Sequence, residues 1–496
     1  MSLDGALSIA TGGLANINSQ LALVSQNVAN ASTPGYAAEI ATQQSVTADG
    51  QGLGVRTGLP IRNIDATLQA ELYSQNATVA GLQTQQTALQ AIDAAQGTPG
   101  QGTDIASLLG NLQDQFSTLL NDPSSGPQQA QVVSTARTLA QAINALSDTY
   151  TTQRQTAEDG LVAGVATLNT TLSTIGSLSN KIVTLKASGQ STADLENQRD
   201  AAVANLSQLL DLKALEQPNG DMLLATTAGL LLPIHGSSSP FSIVGANMQP
   251  GSTYPATIPG IMLGVTDVTS QLQGGQIGAN ITLRDNTLPT DQAELDEFAQ
   301  NLASRFDTEG LRLFTDPSGN VPSISAAPSP VQSNYVGFAG IIQLNAAVQA
   351  KPSLVRDGTA SGNASNLAGY TGVVQNVLTY TFGANLSAGV QWPASNTSGL
   401  GATGTLNAPY TAPLTIGALA STVLASQAQQ SSAVSTQMDA EQAVQTTLSN
   451  KLSTESGVNM DTEMSNMIQL QNAYGANARI ISTMQAMFNQ LLQAVQ

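Results

Sequence analysis

The chain has one histidine and no cysteine, so the side chains that most often do acid–base, thiolate or soft-metal chemistry are nearly absent. His235, in LLPIHGSSS, has no carboxylate or cysteine at a spacing that names a partner, and a structural or loop role is expected. Carboxylates gather in two helical stretches. Asp194, Glu196 and Asp200 cluster around Arg199, which reads as a surface network or a helix-packing contact rather than a metal set. Asp291, Glu294, Asp296 and Glu297 fall in the first turns of another helix, where the backbone dipole favours negative charge. GGQIGANI at 274–281 has the texture of a phosphate loop, yet it lacks both GxGxxG and GxxxxGKS/T. No GxSxG elbow occurs. Met460, Met464, Met467 and Met484 lie on or near one helical stripe, where thioethers pack more often than they bind soft metals. The expectation is a non-enzyme with no catalytic residue, metal site or cofactor.

What remains is the pattern of the two ends. From Leu3, apolar residues recur at Leu7, Ala10, Leu14, Ile17, Leu21, Val24 and Val28. Near the other end they recur at Met467, Leu470, Tyr474, Ile481, Met484, Phe488, Leu491 and Val495, with Asn477 as one polar heptad position. Spacings of three and four are the signature of helices that meet along a seam. An ordinary internal core would produce the same stripe. The placement at both ends, beside so little site chemistry, points instead to ends that cover each other or the helices of neighbouring molecules. Gly12 and Gly13 weaken the first helix by about 1 kcal/mol each. Ser2 could cap it, and the turn at Thr33-Pro34-Gly35 ends it.

Composition sets further bounds. The chain has 496 residues, 15 basic and 33 acidic, for a net charge of -18, and no Lys or Arg precedes Arg56. Nucleic acid is therefore a poor partner. No run of 18 apolar residues appears in the sequence, so no membrane insertion is expected. The N-terminus lacks the basic and apolar regions of a cleaved signal.

Helices are expected over 1–30, 63–95, 103–120, 128–186, 191–210 and 290–308, and from 419 almost to the end. An extended segment or hairpin is expected over 40–63, and short strands dominate after Leu210. The fold class is mainly α with a β-rich insertion, a multidomain α+β chain. A discontinuous elongated helical domain is drawn from both termini and carries an outer β-rich domain. The divisions are 1–36 with 456–496 as terminal coiled-coil assembly segments, 37–210 with 419–455 as the helical domain, and 211–418 as the outer β-rich region. The β-rich middle is expected to face outward and to tolerate deletion better than either end, with removal of 236–270 as the test.

SQNVANASTPGYA at 25–37 and SGVNMDTEMSNMIQLQNAYGANARIISTMQAMFNQLL at 456–492 resemble the two ends of the rod/hook family of bacterial flagellar axial proteins. LENQRDAAVANLSQLLDLKALEQPNGDMLL at 195–224 and GGQIGANITLRDNTLP at 274–289 narrow the resemblance to the hook-associated branch. PSLVRDG at 352–358 agrees more weakly. The strong match covers about a quarter of the chain, spread from end to end.

The resemblance implies a structural protein of the hook–filament junction, self-associated in a ring layer between hook protein and a second junction protein. It implies export unfolded through the flagellar type III apparatus, with a dedicated chaperone on the C-terminal helix. Leu14, Ile17, Leu21, Val24, Val28, Met467, Leu470, Tyr474, Ile481, Met484, Phe488 and Leu491 would then be the assembly seam. Asn30, Pro34, Gly35 and Tyr36 would be the hinge to the outer body. Burying about ten such side chains supplies on the order of 15 kcal/mol gross, much of it offset by ordering. A secreted oligomeric adhesin, trimerised by its ends, is the alternative from another class.

Overall fold

The computed structural model describes residues 3–48, 51–98, 100–237, 239–323, 331–360 and 362–494; Ser2 and Val495 lie outside them. Helix α1 (Leu3–Asn30) is followed by strands β1 (Glu39–Ile40), β2 (Gln43–Ala48), β3 (Gln51–Thr57) and β4 (Ile61–Arg62). β2 and β3 form an antiparallel hairpin, and β1 pairs with β4.

Four helices come next: α2 (Ala66–Gln96), α3 (Ile105–Asn121), α4 (Gly126–Ala187) and α5 (Ala193–Leu209). Each of the first three starts where a side chain accepts an otherwise unpaired amide: Asp65, Asp104 and Ser125. The four helices lie close to the ranges that periodicity marks.

The middle of the chain carries short strands. β5 (Leu212–Glu216), β6 (Met222–Thr226) and β7 (Leu231–Leu232) form one antiparallel meander. β8 (Phe241–Ser242), β9 (Met262–Leu263) and β10 (Thr266–Asp267) form another. The GGQIGANI segment is not a loop: α6 (Gly275–Thr282) begins there, passes through a wide π turn at Leu283–Thr287, and continues as α7 (Leu288–Thr308). Gly275 is required, since its φ is 58° and a Cβ would meet the Leu209 backbone at 2.4 Å. The acidic residues of α7 therefore do not sit at a free helix start, because the preceding turn already occupies its amides. Three short helices follow: α8 (Ala346–Ala350), α9 (Leu354–Asp357) and α10 (Gly372–Asn376). Finally α11 (Ile416–Ser456) runs antiparallel to α2, and α12 (Met460–Ala494) closes the chain.

Two apolar cores lie in series along α4, which at 62 residues is about 93 Å long. Its first half contributes Leu139, Ile143 and Tyr150 to a core shared with α3, α7 and the start of α11. There Phe306 touches Phe116, Phe314 and Phe382, with centroids 5.5 to 5.8 Å away. Its second half contributes Leu161, Leu168 and Ile175 to a core shared with α5, the β5–β7 meander and α6. Close approach depends on glycine: a Cβ on Gly176 would lie 1.7 Å from the Ile234 carbonyl oxygen.

Between the cores lies a polar layer. The Arg284 guanidinium donates to Glu158 at 2.7 Å and both side chains are fully buried; it also forks onto Asp285. Arg154 donates to the carbonyls of Arg284, Gln249 and Ser252 at 2.8 to 3.0 Å. The length and apolar composition of α4 would suit a membrane crossing. Instead its apolar side chains fill the two cores, with buried Arg154 and Glu158 between them.

Segment 236–270 is correspondingly part of the body. Phe241, Met248, Ile258 and Ile261 are buried, and its carbonyls receive Arg154, so the expected tolerance to deletion has no structural basis. The mainly α class with a β-bearing middle holds.

Candidate assembly interface

The base of the molecule is built from both chain regions that carry the stripes. α12 lies antiparallel on α1. Asn27 donates to Glu463 at 2.9 Å, and in the same register Gly13 faces Asn477, whose side chain would lie 3.6 Å from an added Cβ. The polar heptad position and the weakening glycine thus belong together: one makes room for the other.

On α1, Ile17 and Val24 are buried, while Leu14, Leu21 and Val28 are half-buried. A second side of α1 meets the hairpin. Ile9 approaches Gly54, and Asn16 accepts from Thr57 at 2.8 Å.

On α12 the covered face is Glu463, Met467, Leu470, Ala473, Asn477, Ile481 and Met484, all only half-buried. No described side chain of α12 is fully buried. The structure therefore brings Met467, Leu470, Ile481 and Met484 against α1 but leaves Tyr474, Phe488 and Leu491 facing outward, the last two 56% and 54% exposed. Met460, Met464 and Ile468 form a further open row, one turn apart.

The turn that leaves α1 is held firmly on its inner side. Asn30 donates back to the Gln26 carbonyl at 3.1 Å, Pro34 and Gly35 are exposed, and Gly35 has a φ of 75° that favours glycine. Tyr36 donates to Asn27 at 3.2 Å. Asn27, 1% exposed, is the hub. It exchanges hydrogen bonds with the Glu39 backbone at 2.9 and 3.0 Å while reaching Glu463 on α12. A search for apolar spacing passes over this residue; its one signal is an Asn at a buried position of a stripe.

The same segment is pinned to the body. Asn197 of α5 pairs with the Ala37 backbone at 3.2 and 3.3 Å, and the Ala38 amide donates to the Ser456 carbonyl at 2.8 Å. Arg62 donates to Asp200 at 2.7 Å and Glu196 at 2.9 Å. The acidic cluster of α5 thus surrounds Arg62, not Arg199. Arg199 leaves the helix on another side, buried, to reach the Gly220 carbonyl at 2.7 Å and Glu216 at 3.1 Å. Asp194 instead accepts from Gln26. The Glu39 carboxyl sits inside this joint, with Oε1 unpartnered among the described residues. Burial and the neighbouring Asp194 push it up to about 7, against the opposing pull of Arg62. A cavity of about 310 Å³ separates the Ala31–Ala37 turn from the α11–α12 connection.

Elsewhere, His235 does find a carboxylate, Asp221 at 3.1 Å, on an exposed surface. Among the described residues no group of three or more His, Asp or Glu is placed to hold a metal ion.

Sequence comparison gives this architecture its class. Residues 89–311 match the family model of the flagellar hook-associated protein FlgK helical domain. Residues 452–494 match that of the flagellar basal body rod FlgEFG protein C-terminal region. An elongated helical body with a rod-type terminal segment defines the class of flagellar axial proteins.

Within it, the helical-domain match and the curated relatives are of the flagellar hook-associated protein 1 (FlgK) family. The chain is 24% identical over 223 residues to flagellar hook-associated protein 1 of Bacillus subtilis, covering 42% of this chain and 43% of that one. With the Escherichia coli protein of the same name the identity is 22% over 317 residues, covering 62% and 57%. The chain thus matches about half the length of these curated relatives. A solved structure of the flagellar hook junction protein FlgK from Burkholderia pseudomallei is similar at a TM-score of 0.40 and 24% identity, over 52% of this chain and 47% of that one.

Proposed function

We propose that this chain is a structural subunit of the bacterial flagellum at the hook–filament junction, assembled through its terminal helices into a ring layer of like copies. The observation that carries the proposal is α12: a helix with one face half-covered by α1 and an apolar remainder, including Ile468 and Phe488, left open. Contiguous exposed apolar surface of this kind marks an interaction site. Its natural cover is the corresponding helix of a neighbouring axial subunit.

Hook protein on one side and a second junction protein on the other are the expected neighbours. Before export, a flagellar chaperone in the cytoplasm would shield the C-terminal helix; after export the subunit sits outside the cell on the flagellum. The twelve stripe residues act as the seam, some within the chain and some between copies. The turn from Asn30 to Tyr36 sets the angle at which the body leaves the ring.

The test is binding to the tips of purified hooks. The wild-type chain should decorate the tips, and an Ile468→Asp variant with unchanged thermal unfolding should not. Undiminished binding by that variant would remove α12 from the interface. Absence of tip binding by the folded wild-type chain would remove the junction role itself.

A further inference from the structure

One feature of the body has no part in the base. Asp291 and Glu294 occupy successive turns of α7, 4% and 2% exposed. Neither is in an ion pair or hydrogen bond among the described residues, and Asp291 Oδ2 and Glu294 Oε2 are shut from solvent with no partner. Both residues line a groove of about 820 Å³ between α7 and α11. Its other walls offer neutral hydrogen-bonding groups, among them Asn286, Thr290, Tyr410, Ser426 and Gln430.

Two buried carboxyl groups without a counter-charge are costly in a folded protein. Their near neighbours on the other elements do nothing to offset this. Tyr150 of α4 has its hydroxyl committed to Gln427 of α11 at 2.8 Å, and both Tyr150 and Tyr410 are pushed up, first by burial and then by these carboxylates. Burial alone raises Asp291 to about 7; burial and then Asp291 raise Glu294 to about 9. The contrast with Asp296 and Glu297 on the same helix is sharp. Asp296 accepts from the Gly337 and Ala339 amides at 2.7 and 2.9 Å, and Glu297 accepts from Tyr335 at 2.7 Å. Those two are structural anchors; Asp291 and Glu294 are not.

We propose that this groove is a binding site for an organic cation, a guanidinium or alkylammonium group paired to Asp291 and Glu294. Two carboxylates fall short of the ligand set of a metal site, and the groove is larger than a bare ion requires. A planar or extended cation in the groove would pair with the two carboxylates and use the surrounding amides and hydroxyls for its remaining donors. Binding would displace the proton that the empty site holds near neutral pH.

The probe is agmatine, titrated calorimetrically into the full chain at about pH 7.5 in two buffers of different ionisation enthalpy. Binding with proton release is expected, weakened at least about tenfold in Glu294→Gln with the release lost. Asp291→Asn provides the second arm. Both variants replace a buried acid by a neutral isostere and should fold. No binding by the wild-type chain, or equal binding by the Gln variant, overturns the proposal. Sedimentation with and without agmatine separates the two sources of such a group. Self-association that agmatine disperses assigns the site to a basic side chain of a second copy; association that it leaves unchanged assigns it to a free small cation. Neither result depends on the junction role, which is read at hook tips.

Discussion

α4 and α12 are both long helices of mixed Ala, Gln, Thr and apolar composition, yet they sit in opposite surroundings. α4 has apolar neighbours on most of its length and buries residues from Gln129 to Ile182. α12 packs chiefly on α1 and, among the described residues, buries none. The difference is not one of local helix propensity but of how much partner the single chain supplies. The body is a finished fold, whereas the base leaves one helix largely uncovered. Packing stabilises a helix far more than propensity does, so α12 alone should open long before α4.

Four measurements would break or sharpen that contrast. The largest effect should come from the body. Phe306→Ala removes the ring at the centre of the Phe116, Phe314 and Phe382 group and should cost about 3–5 kcal/mol in urea unfolding. A loss no larger than that of a base variant would mean the two regions are not distinct. Next is Asn27→Ala, which strips the buried Glu39 backbone and Glu463 of their partner. About 1–3 kcal/mol of local stability should be lost, seen as faster hydrogen exchange at the end of α1 with α4 unaffected.

A smaller effect is expected from pH. Glu39 stands at about 7 in the fold against an ordinary 4.5, so the folded joint holds its proton more tightly than the unfolded chain. The joint is therefore most stable at low pH, weakens as pH rises through the window between the two values, and stays weakened above it. Asp194, Glu196 and Tyr36 surround it with Arg62 the single cation in that set. Protection at β1, corrected for the intrinsic rise of amide exchange with pH, should fall between 4.5 and about 7, and Glu39→Gln should abolish that fall. Least disturbing to folding is Ile481→Asp, at a half-buried position of the α1–α12 seam. Body unfolding should be unchanged while hook-tip incorporation is lost, because a charge in the α1–α12 packing would disturb the helix pair that presents the proposed assembly surface. Normal incorporation would show that the seam is not an assembly surface.

Much of this architecture was legible in the chain. Apolar spacing placed α2 to α5 and both stripes, and the Asn477 break in the second stripe has its counterpart in Gly13. What escaped was long-range pairing. Glu196 and Asp200 read as companions of Arg199 because sequence shows only near neighbours; the cation that meets them, Arg62, comes from a strand more than a hundred positions away. The acids of α7 read as dipole-matched first-turn residues because α6 and the π turn before them looked like a glycine loop. Segment 236–270 looked like surface on composition, yet its carbonyls complete the buried Arg154 site. In each case the deciding contact was made by backbone or by a polar side chain that has no periodicity to betray it.

The polar layer between the two cores has a mechanical consequence. A rod about 93 Å long that is gripped by separate packings at either half will flex, if it flexes, at the place between the grips. There Arg284 links Glu158 of α4 to Asp285 at the π turn, and Arg154 is tied to three carbonyls from two other segments. Bending α4 at that point would have to shear directional bonds to buried charges, which resist displacement far more steeply than apolar contacts that can slide. Stiffness under load is thus concentrated in a few residues at mid-length, and torque received at one end of the body would reach the other with little lost to curvature.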